Sequence, residues 1–399
     1  MADSEPADPF SHFNLHEKGV RSGVECLWAK MREQPTLPRS EALGGFHLIS
    51  RYADLKKALL DPALFSSAQG ITVPDQGVRS RHIPAETDPP LHKEYRNLMA
   101  RHFGFDRVRK MEGRVRGLAQ MLLDRVAGRS HVDFVDVFAR PLPVHVSLAL
   151  LGLPASDAEL LDSWVKELHQ EVATGVRTGA ADKLTSYVRD SLVARHEIAS
   201  PADESLFSAI LCGSVEGRPL TLDEQVSMVR LVLIGGFDST AIALATAIWW
   251  LAQHGEDADR LRATPALIDT FSEEIVRFAS PATYLRRTLT RDVDFGGTTL
   301  HAGDHVVLGF GAANRDPAEF ACPETVVVDR NPNRHLGFGF GAHRCIGSLV
   351  AKLEMKIAVE EITARYARIE LDPAGEVALS SGLNQGIIAL PIILHPRGA

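Results

Sequence analysis

Cysteine is scarce. The 399 residues contain four, Cys26, Cys212, Cys322 and Cys345, with no Cys-x-x-Cys pair among them. This excludes a disulfide framework and a structural zinc site of the usual spacing, and it fits a reducing compartment. A basic surplus is also lacking: 43 Lys and Arg stand against 51 Asp and Glu, a net −8, which argues against a protein that coats nucleic acid. The N-terminus has no basic segment leading into an apolar stretch and carries Asp3, Glu5 and Asp8 instead, so neither a signal peptide nor a membrane anchor is expected. The most apolar run, residues 231–252, is interrupted by Gly235, Gly236 and Asp238 and reads as a buried helix rather than a membrane span. Repeats and low-complexity linkers are absent. At 45% hydrophobic and 24% charged residues, the chain has the composition of a folded, water-soluble protein and not of a disordered, collagenous or coiled-coil one.

Patterning along the chain predicts mostly helix. Residues 16–32 read as a surface helix, and Tyr52 to Leu60 as a second helix stopped by Asp61-Pro62. Residues 65–90, with four prolines and no sustained period, read as a long functional loop. Helical patterning resumes over residues 91–199 and is followed by an irregular stretch at 201–219. Thr221 and Glu224 form a capping-box pattern, opening an apolar helix of about 30 residues and hence about 45 Å. A helix at residues 265–279, short strands over 283–308, an irregular segment at 312–341 and a last helix at about 346–366 complete the order. The expectation is a single domain over residues 1–399, mainly α with a small β region, with residues 1–15 as a flexible N-terminal segment.

The most specific local feature is Phe338-Gly339-Phe340-Gly341-Ala342-His343-Arg344-Cys345-Ile346-Gly347, leading straight into the last helix. Glycines let backbone approach a flat partner, and a cysteine at a helix N-terminus is favoured as thiolate and could ligate a soft metal centre. A buried structural cysteine beside a glycine turn is the alternative. Gly337, Gly339 and Ala342 formally match a dinucleotide fingerprint, but the polar, proline-broken residues 330–335 are no strand, which disfavours that reading. Asp238 in an apolar helix is either a structural carboxylate held by neighbours or a functional one. His92 and Arg96, at i and i+4, either point at one anionic group or are solvated. Glu274 and Arg277, at i and i+3, can pair. His301 and His305 flank a strand turn, lack a third ligand and read as structural or exposed. Residues 92–116 hold eight Lys or Arg against three acids, a local balance opposite to that of the whole chain. This strip is either a solvated face or a docking surface.

The ten-residue loop resembles the cysteine-ligand loop of the cytochrome P450 family. Glu274-Ile275-Val276-Arg277 resembles that family's Glu-x-x-Arg pair, Ala312 to Pro317 a stretch common in its bacterial members, and Gly235 to Thr240 its oxygen-binding motif, all in the family's order. The resemblance implies the P450 fold, with haem b between the long central helix and the Cys345 loop, and Cys345 as axial ligand of the haem iron. It implies propionate contacts from His92, Arg96, Arg287 and His343, with Gly235, Gly236, Phe338 and Gly347 also against the cofactor. Glu274 and Arg277, joined by Arg330, would hold the cysteine loop. Asp238 and Ser239, with Thr240 following, would relay protons. Serine stands where the family commonly has threonine, so it keeps the hydroxyl but loses the methyl that restricts its rotation.

The implied reaction is insertion of one atom of O2 into a small organic substrate by hydroxylation, O-dealkylation or epoxidation. Electrons would come from NAD(P)H through a separate reductase and a ferredoxin docking near Lys93, Arg101, Arg109, Lys110 and Arg344. A cytoplasmic monomer binding neither nucleic acid nor membrane is implied. A peroxide-driven or coupling enzyme and a non-enzymatic haem-thiolate sensor remain as alternatives. Implied substrate contacts come from residues 66–86, 164–187, 233–237, 282–285 and 383–386, with Val73, Leu233, Phe237, Thr283, Tyr284, Leu285, Leu383 and Asn384 as the individual candidates. Arg79 and Arg81 could meet an acidic substrate, although loop arginines are most often solvated.

Overall fold

Thr221 opens the longest helix, Leu222–Gln253. Its hydroxyl accepts from the Glu224 N–H at 3.3 Å, and the Glu224 carboxylate accepts from the Thr221 N–H at 2.7 Å, so two of the N–H groups that no helical bond can satisfy are paired reciprocally. The computed structural model describes residues 10–17, 23–74, 81–196 and 205–397. In chain order its helices are α1 (Val24–Glu33), α2 (Tyr52–Leu60), α3 (Leu91–Ala100), α4 (Phe105–Asp124), α5 (Pro141–Leu151), α6 (Ala158–Thr174), α7 (Ala180–Arg195), α8 (Leu206–Leu211), α9 (Leu222–Gln253), α10 (Gly255–Ala263), α11 (Leu267–Ala279), α12 (Phe310–Ala313) and α13 (Ser348–Arg365). Strands are β1 (Arg39–Ser40), β2 (Phe46–Ile49), β3 (Phe65–Ser66), β4 (His131–Asp133), β5 (Ser214–Val215), β6 (Arg218–Pro219), β7 (Tyr284–Leu289), β8 (Val293–Phe295), β9 (Thr298–Leu300), β10 (His305–Gly309), β11 (Tyr366–Leu371), β12 (Ala378–Leu379), β13 (Ile387–Ala389) and β14 (Pro391–Pro396).

The main sheet runs β1-β2-β10-β7-β3, with β10 parallel to β2 and every other pair antiparallel. A second sheet runs β11-β14-β4, and three two-stranded ladders complete the β structure. The largest apolar core surrounds α9 and draws on α4, α5, α6, α7, α11 and α13. A second core lies between α2 and the main sheet. α9 is long and apolar enough to cross a membrane, but its Ala241 to Ile248 stretch is buried against these neighbours, and it is the core helix of the fold.

Several expectations need correction. Among the described residues the first helix begins at Val24 rather than residue 16, and it is not a surface helix: Val24, Trp28 and Met31 are buried. The N-terminal segment is packed from residue 10 onward, because Phe10, Phe13 and Leu15 fill a third core with Trp28 and Tyr284. The irregular stretch after 200 contains α8 and the β5–β6 hairpin, and α10 follows α9 after a single residue, His254. The strands beyond the last helix were not anticipated, since they are short and one begins at Pro391.

Candidate active site

The segment before α13 is shaped by two glycines. Gly339 and Gly341 have φ of 69° and 67°, a left-handed conformation costly for other residues. A Cβ on Gly341 would also stand 2.6 Å from the Leu59 carbonyl, so the end of α2 seats the loop. The Cys345 N–H donates to the Phe338 carbonyl at 2.7 Å, closing the turn. Beneath it, Glu274 is wholly buried and accepts from Arg277 Nε and Nη2 at 2.8 Å each, Arg330 Nε at 2.9 Å, Asn333 Nδ2 at 3.1 Å and the Val327 N–H at 2.9 Å. Arg277 spends its remaining donors on the carbonyls of Asn314, Pro323 and Thr325, each at 2.8 Å. Asn314 Oδ1 accepts from the Leu336 N–H at 2.7 Å. A buried pair with every donor used fixes backbone, and here the backbone is the approach to Cys345.

The Cys345 side chain is exposed to a cavity of about 320 Å³ that it helps to line. Burial pushes the thiol up, while the N–H groups of Gly347 and Ser348 and the charges of Arg96 and Arg344 pull it back. At one end of the cavity stand His92, Arg96, Arg287 and His343. The rings of His92 and His343 lie 4.2 Å apart. Arg96 Nη2 donates to the Arg344 carbonyl at 2.5 Å and Arg287 Nη1 to the Arg286 carbonyl at 2.7 Å, and neither has a carboxylate in ion-pair contact among the described residues. Burial holds Arg287 at about 10, and burial with the charges of Arg287 and His92 drives His343 down to about 3. Two guanidinium groups with no carboxylate in ion-pair contact among the described residues, beside two imidazoles that their surroundings keep neutral, are a poor arrangement for the protein alone. They fit a ligand that brings two carboxylates, as haem does.

The opposite wall is α9. Leu231, Val232, Gly235, Gly236, Ser239, Thr240 and Ala243 face the cavity. A Cβ on Gly236 would come 2.5 Å from Ser147 Oγ of α5, whereas one on Gly235 would meet nothing within 4 Å. Gly236 is therefore a helix-packing residue, and Gly235 leaves open space. Ser239 Oγ donates to the Gly235 carbonyl at 3.1 Å. Asp238 turns off the cavity: Arg140 Nη1 reaches its Oδ1 at 2.5 Å, and His169 Nδ1 lies 2.5 Å from its Oδ2, off the hydrogen-bond axis. Arg140 Nε also donates to Asp162 of α6 at 2.5 Å. Burial alone would raise the Asp238 carboxyl, but the charges of His169 and Arg140 outweigh it and bring it to about 2.

A family model described as Cytochrome P450 matches residues 266–391. The chain is 34% identical over 353 residues to cyclomarin C epoxidase CymV of Salinispora arenicola, covering 86% of this chain and 88% of that protein. It is 32% identical over 385 residues to cytochrome P450 107B1 of Saccharopolyspora erythraea, covering 92% and 93%. The chain belongs to the cytochrome P450 family. Among solved structures similar to this P450 is a post-tailoring hydroxylase, HmtN, involved in himastatin biosynthesis, with TM-score 0.83 and 30% identity over 94% of this chain and 97% of that one. The family brings haem iron and O2, and the chain is a cytochrome P450 monooxygenase, as its relatives named as hydroxylases, epoxidases and monooxygenases are.

The cavity wall of this P450 draws on two of the expected segments, 66–86 and 282–285, more than on the individual residues expected there. Of the eight expected contacts, Leu285 lines the cavity. Leu233 and Phe237 each follow a cavity-lining residue of α9 by one position and are buried in the main core. Tyr284 is buried, its hydroxyl accepting from Trp28 Nε1 at 2.8 Å, and Thr283 donates to the Ser280 carbonyl at 2.9 Å. Val73 and Leu383 pack into the N-terminal core, and Asn384 pairs with Ala282 in an isolated bridge. Ile71, Pro84, Ala85 and Ala282, inside the expected segments, and Leu231 and Val232, just ahead of one, line the wall. Arg81 is exposed, and Arg79 lies outside the described residues. His301 is exposed beside Asp292, His305 contacts Thr288, and neither belongs to a metal-binding cluster among the described residues. Arg140, His169 and Ser147 were not anticipated, because they join α9 only in three dimensions. Glu354, on the cavity wall from α13, carried a detectable signal: it is a carboxylate on the face of a helix that also presents Val350, Ala351 and Met355.

Proposed function

We propose that this P450 inserts one atom of O2 into a small, largely hydrophobic molecule, with two electrons originating in NAD(P)H and delivered by a separate ferredoxin. The observation that carries the reading is one cavity holding the Cys345 thiol, the Arg96, Arg287, His92 and His343 cluster and the open face of α9. His92, Arg96, Arg287 and His343 would hold the haem propionates and Cys345 the iron. Haem with a thiolate ligand supplies reductive activation of O2 and favours O–O cleavage. The chain's own residues then bind, exclude water and move protons. The aliphatic residues over the α9 face favour an apolar substrate, bound by burial rather than by a fixed ion pair. Ser239 keeps a hydroxyl at the cavity face, and Asp238 must leave Arg140 or His169 to join it.

The proposed ferredoxin face is the one beside Arg344. Lys93, Arg101, Arg109, Lys110 and Arg344 are exposed, and the exposed Phe340 and Leu60 add apolar contact next to Lys56, whose Nζ lies 5.3 Å from the Phe340 ring. An acidic, partly apolar partner fits this surface, in a protein acting in the cytoplasm. The test is a screen of small organic compounds for haem spin-state shifts, followed by product and NADH measured together with a surrogate ferredoxin. Product matched to NADH supports the reading, and ligand binding without turnover in any redox system sinks it. Ser239→Ala should raise peroxide release at the expense of product; an unchanged ratio removes Ser239 from the relay.

A further inference from the structure

A second cavity of about 320 Å³ opens between the C-terminal end of α4 and the first turns of α5 and α6, and it shares no lining residue with the Cys345 cavity. Leu122, Val126, Val144 and Ala158 give it a buried apolar lining. Arg140 joins the two sites. The chain reaches it through a widened turn, Val135–Ala139, closed by the Arg140 N–H on the Val135 carbonyl at 3.0 Å, and Pro141, which has no N–H, follows. Arg140 is 9% exposed. Its Nε donates to Asp162 and its Nη1 to Asp238, at 2.5 Å each. Nη2 is enclosed and has no partner among the described residues, and the same holds for Nδ1 of His145, another lining residue. Arg277 beneath the cysteine loop leaves no nitrogen unused, and an enclosed donor left idle, as in Arg140, is unfavourable for the protein alone. Around the mouth Arg125, Arg129 and Lys166 are exposed, as are Asp136 and Glu159. Lys166 Nζ lies 3.0 Å from Asp162, whereas the other four have no ion pair among the described residues.

We propose that this second cavity binds a small organic carboxylate, singly charged and apolar in body, and that the occupant competes with Asp238 for Arg140. The carboxylate takes the idle Nη2 of Arg140 and the guanidinium groups of Arg125 and Arg129, and the aliphatic side chains cover the rest of the molecule. Asp136 and Glu159 stand against a multiply charged anion such as a phosphate, because each added negative charge meets them at the mouth. Lys166 keeps Asp162 paired when Arg140 turns toward the occupant. A new negative group on Arg140 weakens its hold on Asp238, by sharing the guanidinium and by like-charge repulsion across it. The coupling is reciprocal, so the Asp238 charge weakens the occupant in turn. Occupancy of a site outside the reaction cavity thus biases the acid of the α9 wall toward release. The binding site stands apart from the monooxygenase reading, whereas its effect on turnover rests on that reading.

The test uses the haem-loaded protein, with benzoate as the probe, benzamide as its neutral counterpart and inorganic phosphate as the multiply charged one. Calorimetry should show saturable benzoate binding that leaves the haem spectrum unchanged, and no binding of benzamide or phosphate at the same concentrations. The double variant Arg125→Gln, Arg129→Gln should bind benzoate about tenfold more weakly and melt like the wild type, since both side chains are exposed and unpaired among the described residues. Asp238→Asn should bind benzoate about fivefold more tightly, at the low end of ordinary coupling between sites, a shift that an Arg140 serving packing alone would not produce. With a substrate in hand, saturating benzoate should raise turnover a few-fold in the wild type and leave the double variant as it was. Absence of saturable benzoate binding overturns the proposal, as does binding that shifts the haem spectrum and survives in the double variant, which belongs to the reaction cavity. Equal binding of phosphate overturns the ligand class. Unchanged affinity in Asp238→Asn overturns the competition for Arg140. Failure of the wild type to turn over any compound would count against the monooxygenase reading and leave the calorimetric result standing.

Discussion

Around Cys345 the cavity wall is held by backbone. Glu274 and Arg277 gather carbonyls and N–H groups from residues 314–327, and glycine turns carry the chain from there to α13. Across the cavity, the α9 wall is held at its centre by side-chain charges: Asp238 is tied to Arg140 and to His169 of α6, and Arg140 ties back to Asp162 of α6. The first arrangement is rigid because its donors and acceptors are enclosed and spent. The second can change state, since ion pairs between neighbouring helices can be exchanged for water when the helices part. A fixed thiol opposite a releasable acid suits a reaction in which the metal centre must not move and protons must.

The comparison is broken most completely at its fixed pole. Cys345→Ala should abolish the red-shifted carbon monoxide spectrum of thiolate-ligated haem while leaving the protein folded, since the thiol side chain borders the cavity rather than the core. Persistence of that spectrum would remove Cys345 as ligand. Next in size is Glu274→Ala, which strands the buried Arg277 and should cost about 3–5 kcal/mol, read as a lowered midpoint in denaturant and as haem loss. Full stability in that variant would mean that the loop is held elsewhere.

The acid of the α9 wall should show a smaller, pH-dependent effect. Asp238 is held at about 2 against an ordinary 3.8, so its contribution is present above the ordinary value and is lost as pH falls toward 2. The difference corresponds to about 2 kcal/mol. Asp238→Asn should therefore be less stable than the wild type near neutral pH, by about that amount, and the gap should close between about pH 4 and pH 2. Urea melts across that range measure it, and a gap independent of pH would show that the carboxylate is not charge-clamped.

The two walls also differ in how far they could be read from the chain. The loop at 338–347 and the Glu274–Arg277 pair are local: turn glycines, a helix start and an i, i+3 spacing all lie within a few residues, so their geometry follows from the sequence. On α9 the capping box was legible for the same reason, and Gly235, Gly236, Ser239 and Thr240, expected through the family resemblance, do line the cavity, but the apolar positions beside them were not placed. An almost uniformly apolar helix has no polar side to set its phase, and the choice of Leu233 over Val232 turned on one residue of rotation. The partners of Asp238 come from positions 140 and 169, about 100 and 70 residues away, and no local pattern announces them. Glu354 falls between these cases. Its place on α13 was readable, but its lack of any partner becomes visible once the surrounding helices are in place.

The smallest expected effect concerns the outer side of the fixed wall, where the electron partner is proposed to dock. Charge count alone treats the eight cations of residues 92–116 alike, but the fold does not. Arg116 is engaged with Glu112, Glu360 and Glu361 at 2.7–3.1 Å, so its field is largely cancelled toward a partner. Lys93, Arg101 and Lys110 are exposed and have no ion pair among the described residues, while Arg109 has a loose one to Asp106 at 3.9 Å. Lys93→Gln and Lys110→Gln should each slow reduction by an acidic ferredoxin a few-fold at low salt, and the difference from wild type should vanish as ionic strength shortens the screening length to a few ångströms. Arg116→Gln should leave the rate of reduction unchanged and act on stability instead, by freeing two carboxylates on α13. Stopped-flow reduction at two salt concentrations separates the cases. Equal slowing by all three variants would mean that net charge, not the geometry of the strip, steers the partner.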